Sequence, residues 1–247
     1  VYNRSGNIWQ EQQKLTATDG VAGDWFGYAL SLQGDTALVA SPQDGDMGKY
    51  SGSAYLFSRT GSIWSQKQKV TAASGQADHV FGNSVALNSG EALVGESRNS
   101  TKGTKAGAVH FLKLCTNQDV PFRPQAKLSL PGAGAGSALG GAVALEGGTA
   151  IAGMDENAAK GKGAVVIYSR SGSAWTQQQK ITASGGSSGD RFGFSVALSG
   201  QSALVGADNG DSNKGAAHVF TRSGTAWSQQ QKLTAVGLGV GDRFGSG

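Results

Sequence analysis

One serine motif and three histidines are the residues that could support catalysis. Gly185–Gly189 has the Gly-x-Ser-x-Gly spacing of a hydrolase nucleophile, which requires a strand before the serine and a helix after it. The motif lies instead in a Ser/Gly-rich loop between two predicted strands, so we interpret it as a flexible loop. The histidines fall at different positions of the repeat described below, and no pattern brings a carboxylate or a nucleophile to His79, His110 or His218. We therefore predict no catalytic residue and no enzymatic activity.

Acidic residues in the loops are the candidates for ligand or metal binding. Asp44 and Asp46 share one loop, Asp155 lies in another, and Asp208 and Asp211 share a third. Ca²⁺ takes about six to eight oxygen ligands, more than any of these loops offers, and aspartate is common in tight turns. We expect no metal or cofactor, with calcium as the alternative. The aspartates at positions 44, 46, 208 and 211 are candidate ligand contacts.

Trp25 is the aromatic candidate for ligand contact, and Asn3 and Asn99 are candidates for modification. Trp25 comes directly before a Phe-Gly pair, where an exposed tryptophan on a loop would offer a large apolar contact surface. Other copies of the repeat have Val80, Ala138, Arg191 and Arg243 at this position. Asn3 and Asn99 begin sequons that predict N-linked glycosylation if a eukaryotic cell secretes the protein.

The Phe-Gly pair opens the strand that must position these residues. In Asp190–Gly206 large side chains alternate with small ones, which predicts a β-strand with one bulky and one flat face. A two-residue turn then leads into a second, apolar strand. An aspartate recurs before the pair as Asp24, Asp190 and Asp242. This recurrence favours a turn-bonding role for the aspartate over catalysis.

The unit repeats with a period of 52 to 58 residues. The Phe-Gly column begins at Phe26, Phe81, Leu139, Phe192 and Phe244. A second column contains Trp9, Trp64, Phe122, Trp175 and Trp227, and a lysine follows each of them five residues later. A third column, an aromatic residue two positions before a basic one, includes Phe57, Phe111, Tyr168 and Phe220. This period, with several short strands per copy, is typical of a propeller blade, and we interpret the tryptophans as packing between blades.

The predicted fold is an all-β propeller of four-stranded antiparallel blades, with four complete blades and part of a fifth. The blades are predicted at 1–17 (partial), 26–72, 81–130, 139–183, 192–235 and 242–247 (start of the next). The turns after strands one and three are short and uniform. The loops after strands two and four are longer, differ between copies and emerge on one common face. Binding residues usually lie on variable loops of a rigid scaffold, so we expect ligands on that face.

The ends of the chain carry incomplete copies of the repeat. The first has only strands three and four, and the last has only the first residues of strand one. Strand one lines the centre of a propeller, so an incomplete blade would leave an unpaired edge there. We expect the chain to be a segment of a larger propeller, or to obtain the missing strands from another subunit.

Composition excludes several classes of function. The chain has 247 residues, of which 38% are hydrophobic, and a formal net charge of +4. Its lysines and arginines are spread over the repeats without a dense run, so we expect no nucleic-acid partner. No stretch reaches 18 consecutive apolar residues, so we expect no membrane insertion.

A Phe-Gly strand followed by a strand ending in a Gly-Ala-Pro-like segment resembles the FG-GAP repeat. This family includes the propeller heads of integrin α subunits and many bacterial and algal surface proteins. The Phe-Gly half matches in four of five copies, with Leu139 as the departure, whereas the second half is looser, as in Ala40-Ser41-Pro42. Integrin-type repeats often carry a calcium loop between strands one and two. Here that connection is a two-residue turn, which argues against calcium at the family position.

The resemblance implies a non-enzymatic, extracellular or cell-surface module for adhesion, which binds protein or glycan through the variable loop face. Two alternatives stay open. The chain could be a structural subunit of a larger assembly, or an accessory propeller of a hydrolase, as in glycosylphosphatidylinositol-cleaving phospholipases that carry such repeats. Fold alone does not distinguish these functions.

Overall fold

The computed structural model describes residues 1–115, 121–130, 133–154 and 161–247. These residues form one two-stranded sheet and four four-stranded sheets, and in every sheet consecutive strands pair antiparallel. The N-terminal hairpin consists of β1 (Tyr2–Ser5) and β2 (Ile8–Glu11). Sheet 1 consists of β3 (Leu30–Gln33), β4 (Thr36–Ser41), β5 (Ser53–Thr60) and β6 (Ile63–Val70).

The three remaining sheets repeat this order along the chain. Sheet 2 consists of β7 (Phe81–Asn88), β8 (Glu91–Glu96), β9 (Ala108–Leu114) and β10 (Phe122–Leu128). Sheet 3 consists of β11 (Val143–Glu146), β12 (Thr149–Met154), β13 (Ala164–Ser171) and β14 (Ala174–Ile181). Sheet 4 consists of β15 (Phe192–Ser199), β16 (Ser202–Ala207), β17 (Ala216–Ser223) and β18 (Ala226–Leu233). The all-β class and the four-stranded antiparallel repeat predicted from the sequence are confirmed.

A single helical turn, α1 (Gly210–Asn213), interrupts the loop between β16 and β17. Asp211 and Ser212 have φ angles of 51° and 60° there, so this turn is left-handed. In the described part of the chain, no helix has the length and apolar composition needed to cross a membrane.

Apolar clusters between consecutive sheets form the core. One cluster joins Leu93 and Phe111 of sheet 2 to Ala150 and Ala152 of sheet 3. Similar clusters join the other neighbouring sheets. The second strands of sheets 1 to 3 are the most buried, because each has a strand on both sides and an apolar cluster on both faces. Each sheet therefore depends on its neighbours for most of its apolar burial.

The tryptophan column lies in these junctions, as predicted. Trp64, Trp175 and Trp227 are all at most 5% exposed. Trp175 of sheet 3 stacks on Phe111 of sheet 2, with ring centroids 4.5 Å apart. Trp9, in the N-terminal hairpin, is 65% exposed.

Glycine pairs bring neighbouring sheets into backbone contact. A Cβ atom added to Gly95 of β8 would clash with the carbonyl oxygen of Gly140, and Gly206 of β16 faces Gly245 in the same way. The first glycine of each pair is the last but one residue of the second strand, and the other is the glycine of a Phe-Gly or Leu-Gly pair. The Phe-Gly segment of one repeat therefore packs against the Gly-containing end of the second strand in the preceding repeat. Only a residue without a side chain fits at this contact.

The strand register corrects two details of the sequence interpretation. Val94 pairs with His110 and Val205 pairs with His218, so these histidines occupy equivalent positions, not different ones. Val39 pairs with Tyr55 at the same position of sheet 1, and Phe57 is therefore equivalent to Leu112. The third repeat column was therefore wrong by one residue in sheet 2, where Leu112 and not Phe111 is the equivalent residue. The Phe111 side chain lies on the opposite face of its strand.

Candidate ligand-binding face

Residues from all four sheets line one cavity on the face of the long loops. Its volume is about 390 Å³. The lining includes Tyr28 before β3, Asn83 of β7, Arg98 in the loop after β8, Arg191 just before β15 and Phe194 of β15. Residues just before β11 contribute the wall on the side of sheet 3. The inner ends of four separate repeats therefore converge on a common concave surface.

A repeated backbone turn positions this lining. The residue before each Phe-Gly or Leu-Gly pair has a left-handed conformation although none is glycine, with φ between 51° and 61° at Trp25, Val80, Ala138, Arg191 and Arg243. Such a conformation is unfavourable for residues with a Cβ atom and persists only where the surrounding structure imposes it. Its recurrence in every copy shows that it belongs to the scaffold of the face.

Asp24, Asp190 and Asp242 hold the same turn. In each case the Oδ2 atom accepts a hydrogen bond from the backbone N–H three residues earlier, at 2.7 to 2.8 Å. The turn-bonding role predicted for these aspartates is confirmed.

Trp25 lies at the rim of the cavity. Its ring stacks on Tyr28, with centroids 5.7 Å apart and planes 20° apart, and both residues are 54% exposed. Because Tyr28 lines the cavity, the two rings form a continuous exposed aromatic surface at its edge. The sequence singled out Trp25 but gave no reason to name Tyr28.

Three basic residues line or edge the cavity. Arg98 and Lys105 are exposed lining residues. Arg191 Nη1 lies 3.0 Å from Asp208 Oδ2, and its guanidinium lies 4.2 Å from the centroid of the Phe194 ring. The candidate residue Asp208 is fully buried, so its carboxylate holds Arg191 in place and is not available to a ligand.

Asp44 and Asp46, the other candidates in a shared loop, bind a lysine. Lys69 Nζ lies 2.7 Å from Asp44, 2.5 Å from Asp46 and 2.8 Å from Asp19. Tyr55 Oη also donates a hydrogen bond to Asp44, at 2.9 Å. The three carboxylates offer oxygens within 4.8 Å of one another, a spacing that suits a metal, but the lysine ammonium is bonded to all three.

The pKa values of this cluster reflect the same bonds. Burial alone would raise the pKa of Asp44, but the hydrogen bond from Lys69 holds it below its usual value. Burial would likewise lower the pKa of Lys69, and its three carboxylate partners raise it above its usual range. Burial raises the pKa of Tyr55 to about 12. At neutral pH the cluster is therefore a set of fixed ion pairs.

The lysine column has a similar role in two other sheets. Lys127 Nζ lies 3.3 Å from Glu96 in sheet 2, and Lys232 Nζ lies 3.9 Å from Asp211 in sheet 4. Asp211, the last acidic candidate, is 44% exposed at its side chain and remains accessible. The partner carboxylate comes from a different position in each repeat, so alignment of the repeats could not reveal these pairs. Asp155 lies outside the described residues.

Glu96 also binds two of the histidines, so the prediction that no carboxylate approaches them was wrong. His79 Nδ1 lies 2.9 Å from Glu96 Oε1, and His110 Nε2 lies 2.7 Å from Oε2. Glu96 is fully buried. Burial alone would raise the pKa of Glu96, but hydrogen bonding to His110 lowers it to about 2. The group is a buried, charged support beneath the loops of sheet 2.

Of the two sequon asparagines, Asn3 is exposed and Asn99 is fully buried. Asn99 Nδ2 lies 3.3 Å from His79 Nδ1, and its Oδ1 accepts a hydrogen bond from the Thr101 N–H. The folded structure leaves no room for a glycan on Asn99. The serine motif at 185–189 lies in the loop between β14 and β15.

The family model of the FG-GAP repeat matches three segments of the chain: residues 9–57, 64–112 and 175–220. Each segment contains the last strand of one sheet, or of the hairpin, and the first three strands of the next. The family repeat therefore spans a sheet junction. No curated protein matches the chain.

Proposed function

The chain belongs to the FG-GAP repeat family, and from that membership we propose that it is a non-catalytic interaction module which binds a protein or glycan ligand on its long-loop face. FG-GAP repeats are protein-interaction modules of the integrin-like kind. We further propose that the four sheets are consecutive blades of a propeller around the shared cavity. The location that fits this role is extracellular or at the cell surface.

The observation that carries the proposal is the cavity lined by residues from all four sheets. Its walls rest on a scaffold fixed by glycine contacts between sheets and by the recurring turn before strand one. Its rim adds the stacked rings of Trp25 and Tyr28, both more than half exposed. A rigid concave site with aromatic residues and a few polar groups is the usual form of a binding site.

The experiment that tests this proposal is a binding screen of the purified chain against an array of glycans and a panel of extracellular-matrix proteins. Binders would then be compared on Trp25→Ala, Tyr28→Ala and Ile63→Ala. Ile63 is the control because it is 68% exposed and follows a short turn, on the opposite face. We expect at least about tenfold weaker binding for the first two variants and no change for the third. Binding that depends on Ile63 but not on the two aromatic residues would contradict the proposal.

A second candidate, a structural subunit of a larger assembly, is favoured by a separate apolar groove. The groove has a volume of about 540 Å³ and lies between the N-terminal hairpin and sheet 1. It exposes Leu30 by 69% and Leu32 by 58%. Sedimentation of the chain over a range of concentrations would show whether the groove supports self-association, and Leu30→Lys should abolish such association.

A further inference from the structure

We infer that the cavity binds an acidic segment of a partner protein, with a carboxylate side chain of that segment paired to Arg98 and Lys105. This inference rests on the proposed function and names the chemistry of its ligand. It arises from the charge of the cavity, which neither the family membership nor the position of Trp25 determines.

The first observation is that Arg98 and Lys105 have no ionic partner. Both side chains are exposed and both line the cavity. Within the ranges that the structure describes, neither side chain has a hydrogen bond or an ion pair. The third cation at the cavity, Arg191, is neutralised by the buried Asp208. The cavity therefore presents two cationic groups without a compensating charge.

The second observation is that nearby loop carboxylates already have partners inside the protein. Asp24 and Asp190 accept hydrogen bonds from their own turns. Asp44 is bonded to Lys69, and Glu96 is bonded to two histidines. These acidic groups cannot turn toward Arg98 or Lys105 without breaking these hydrogen bonds and ion pairs, which is costly where the group is buried. Among the residues that the structure describes, these carboxylates are therefore unavailable to the two cations, which leaves both cations open to a carboxylate of a ligand.

The third observation concerns the shape and the apolar part of the cavity. A volume of about 390 Å³ holds a few side chains of a peptide, and Tyr28 and Phe194 supply aromatic surface next to the cations. Arg191 lies on the Phe194 ring, which fixes that part of the wall. An acidic residue with an apolar neighbour would satisfy both the charged and the aromatic parts of the site.

A peptide carboxylate suits the cationic part of this site. The guanidinium of Arg98 is a planar fork that can bind a carboxylate through two parallel hydrogen bonds. The family's repeats are protein-interaction modules. The net charge of +4 would also accelerate the approach of an acidic partner at low ionic strength.

The test uses a phage-displayed library of random twelve-residue peptides, selected on the immobilised chain. We expect the selected peptides to be enriched in Asp and Glu relative to the starting library. Synthetic versions should bind the Arg98→Glu/Lys105→Glu variant at least about tenfold more weakly than the natural chain. The neutral variant Arg98→Gln/Lys105→Gln should bind with intermediate affinity, and Lys113→Glu, in an exposed position near the opposite face, should bind normally. Thermal unfolding of each variant verifies that it is folded.

The outcomes separate this inference from the proposed function. Selected peptides that lack acidic enrichment, or that bind both charge variants as tightly as the natural chain, overturn the inference. If those peptides still require Trp25 and Tyr28, the proposed function stands although the inference about acidic ligands fails. Preferential binding of sulfated glycans, with no acidic peptide selected, also overturns the inference but supports a loop-face site. Failure to find any peptide or glycan whose binding depends on this face contradicts both.

Discussion

The side chain of Gln68 in sheet 1 bonds both backbone groups of Phe122 in sheet 2. Its Nε2 donates to the Phe122 carbonyl at 3.1 Å, and its Oε1 accepts from the Phe122 N–H at 2.6 Å. The same pair of hydrogen bonds recurs at two other junctions, between Gln13 and Trp64 and between Gln179 and Trp227. At these three junctions a glutamine side chain thus joins one unit to the outer strand of the next, in addition to the apolar contacts.

The junction between sheets 2 and 3 offers a gain-of-stability test. There the equivalent residue is Ala126, because Ala126 pairs with Phe111 as Gln68 pairs with Leu56. We expect Ala126→Gln to supply the missing pair of hydrogen bonds to Trp175 and to raise the free energy of unfolding by about 1 kcal/mol. Urea denaturation measures the change. Ala126→Met, of similar size but without an amide, is the control, and an equal gain in both variants would show that packing alone is responsible.

The glycine contacts between sheets give a prediction of the opposite sign. A Cβ atom at Gly95 would clash with the backbone of Gly140, which cannot move without separating the sheets. We expect Gly95→Ala to lower the free energy of unfolding by about 2–3 kcal/mol. Gly148, whose nearest neighbour would lie 3.8 Å from an added Cβ, is the matched control. If thermal unfolding shows the same loss for Gly148→Ala, backbone entropy and not the junction would explain the effect.

The repeat columns were sufficient to predict the sheets, because each column reports a position whose environment is the same in every copy. Phe-Gly pairs and tryptophans are fixed by contacts between successive sheets, and those contacts recur. Leu139 fits the same place as the phenylalanines because it is fully buried against the preceding sheet. The turn-bonding aspartates were predictable for the same reason.

The polar clusters could not be predicted from these columns. Asp44 comes from a loop, Glu96 from the end of β8 and Asp211 from α1, yet each reaches the lysine of its own sheet. His79 lies before β7 and His110 lies within β9, and only the folded loop brings both to Glu96. The cavity likewise depends on how four inner strands converge, which no single repeat encodes.

The ion pairs of Lys69 give a third prediction. Replacing this lysine leaves Asp44, which is 2% exposed, without its cation. We expect Lys69→Met to lower the free energy of unfolding at pH 7 by about 3 kcal/mol, because one partner of a buried pair is removed. Lys67→Met is the control, since Lys67 lies on the same strand and is exposed. Equal stability of the two variants in urea would show that the cluster contributes only surface ion pairs.

The last prediction concerns acid stability and Glu96. Its folded-state pKa of about 2 lies below the value of 4.5 expected in the unfolded chain. The unfolded state therefore binds more protons between these values. The stabilisation from the charged glutamate is complete above pH 4.5 and is lost as the pH falls toward 2. Its size at neutral pH is about 3 kcal/mol.

We expect Glu96→Gln to be destabilised at pH 7, because His79, His110 and Lys127 lose their charged partner. The gap from the natural chain should narrow steadily below pH 4.5, since protonation removes the same charge from Glu96. Urea denaturation at a series of pH values from 2 to 7 measures this gap. Glu11→Gln, which changes an exposed glutamate, should follow the natural chain throughout. A gap for Glu96→Gln that stays constant with pH would mean that the glutamate acts through shape and hydrogen-bond geometry, and that its charge is not what stabilises the loops of sheet 2.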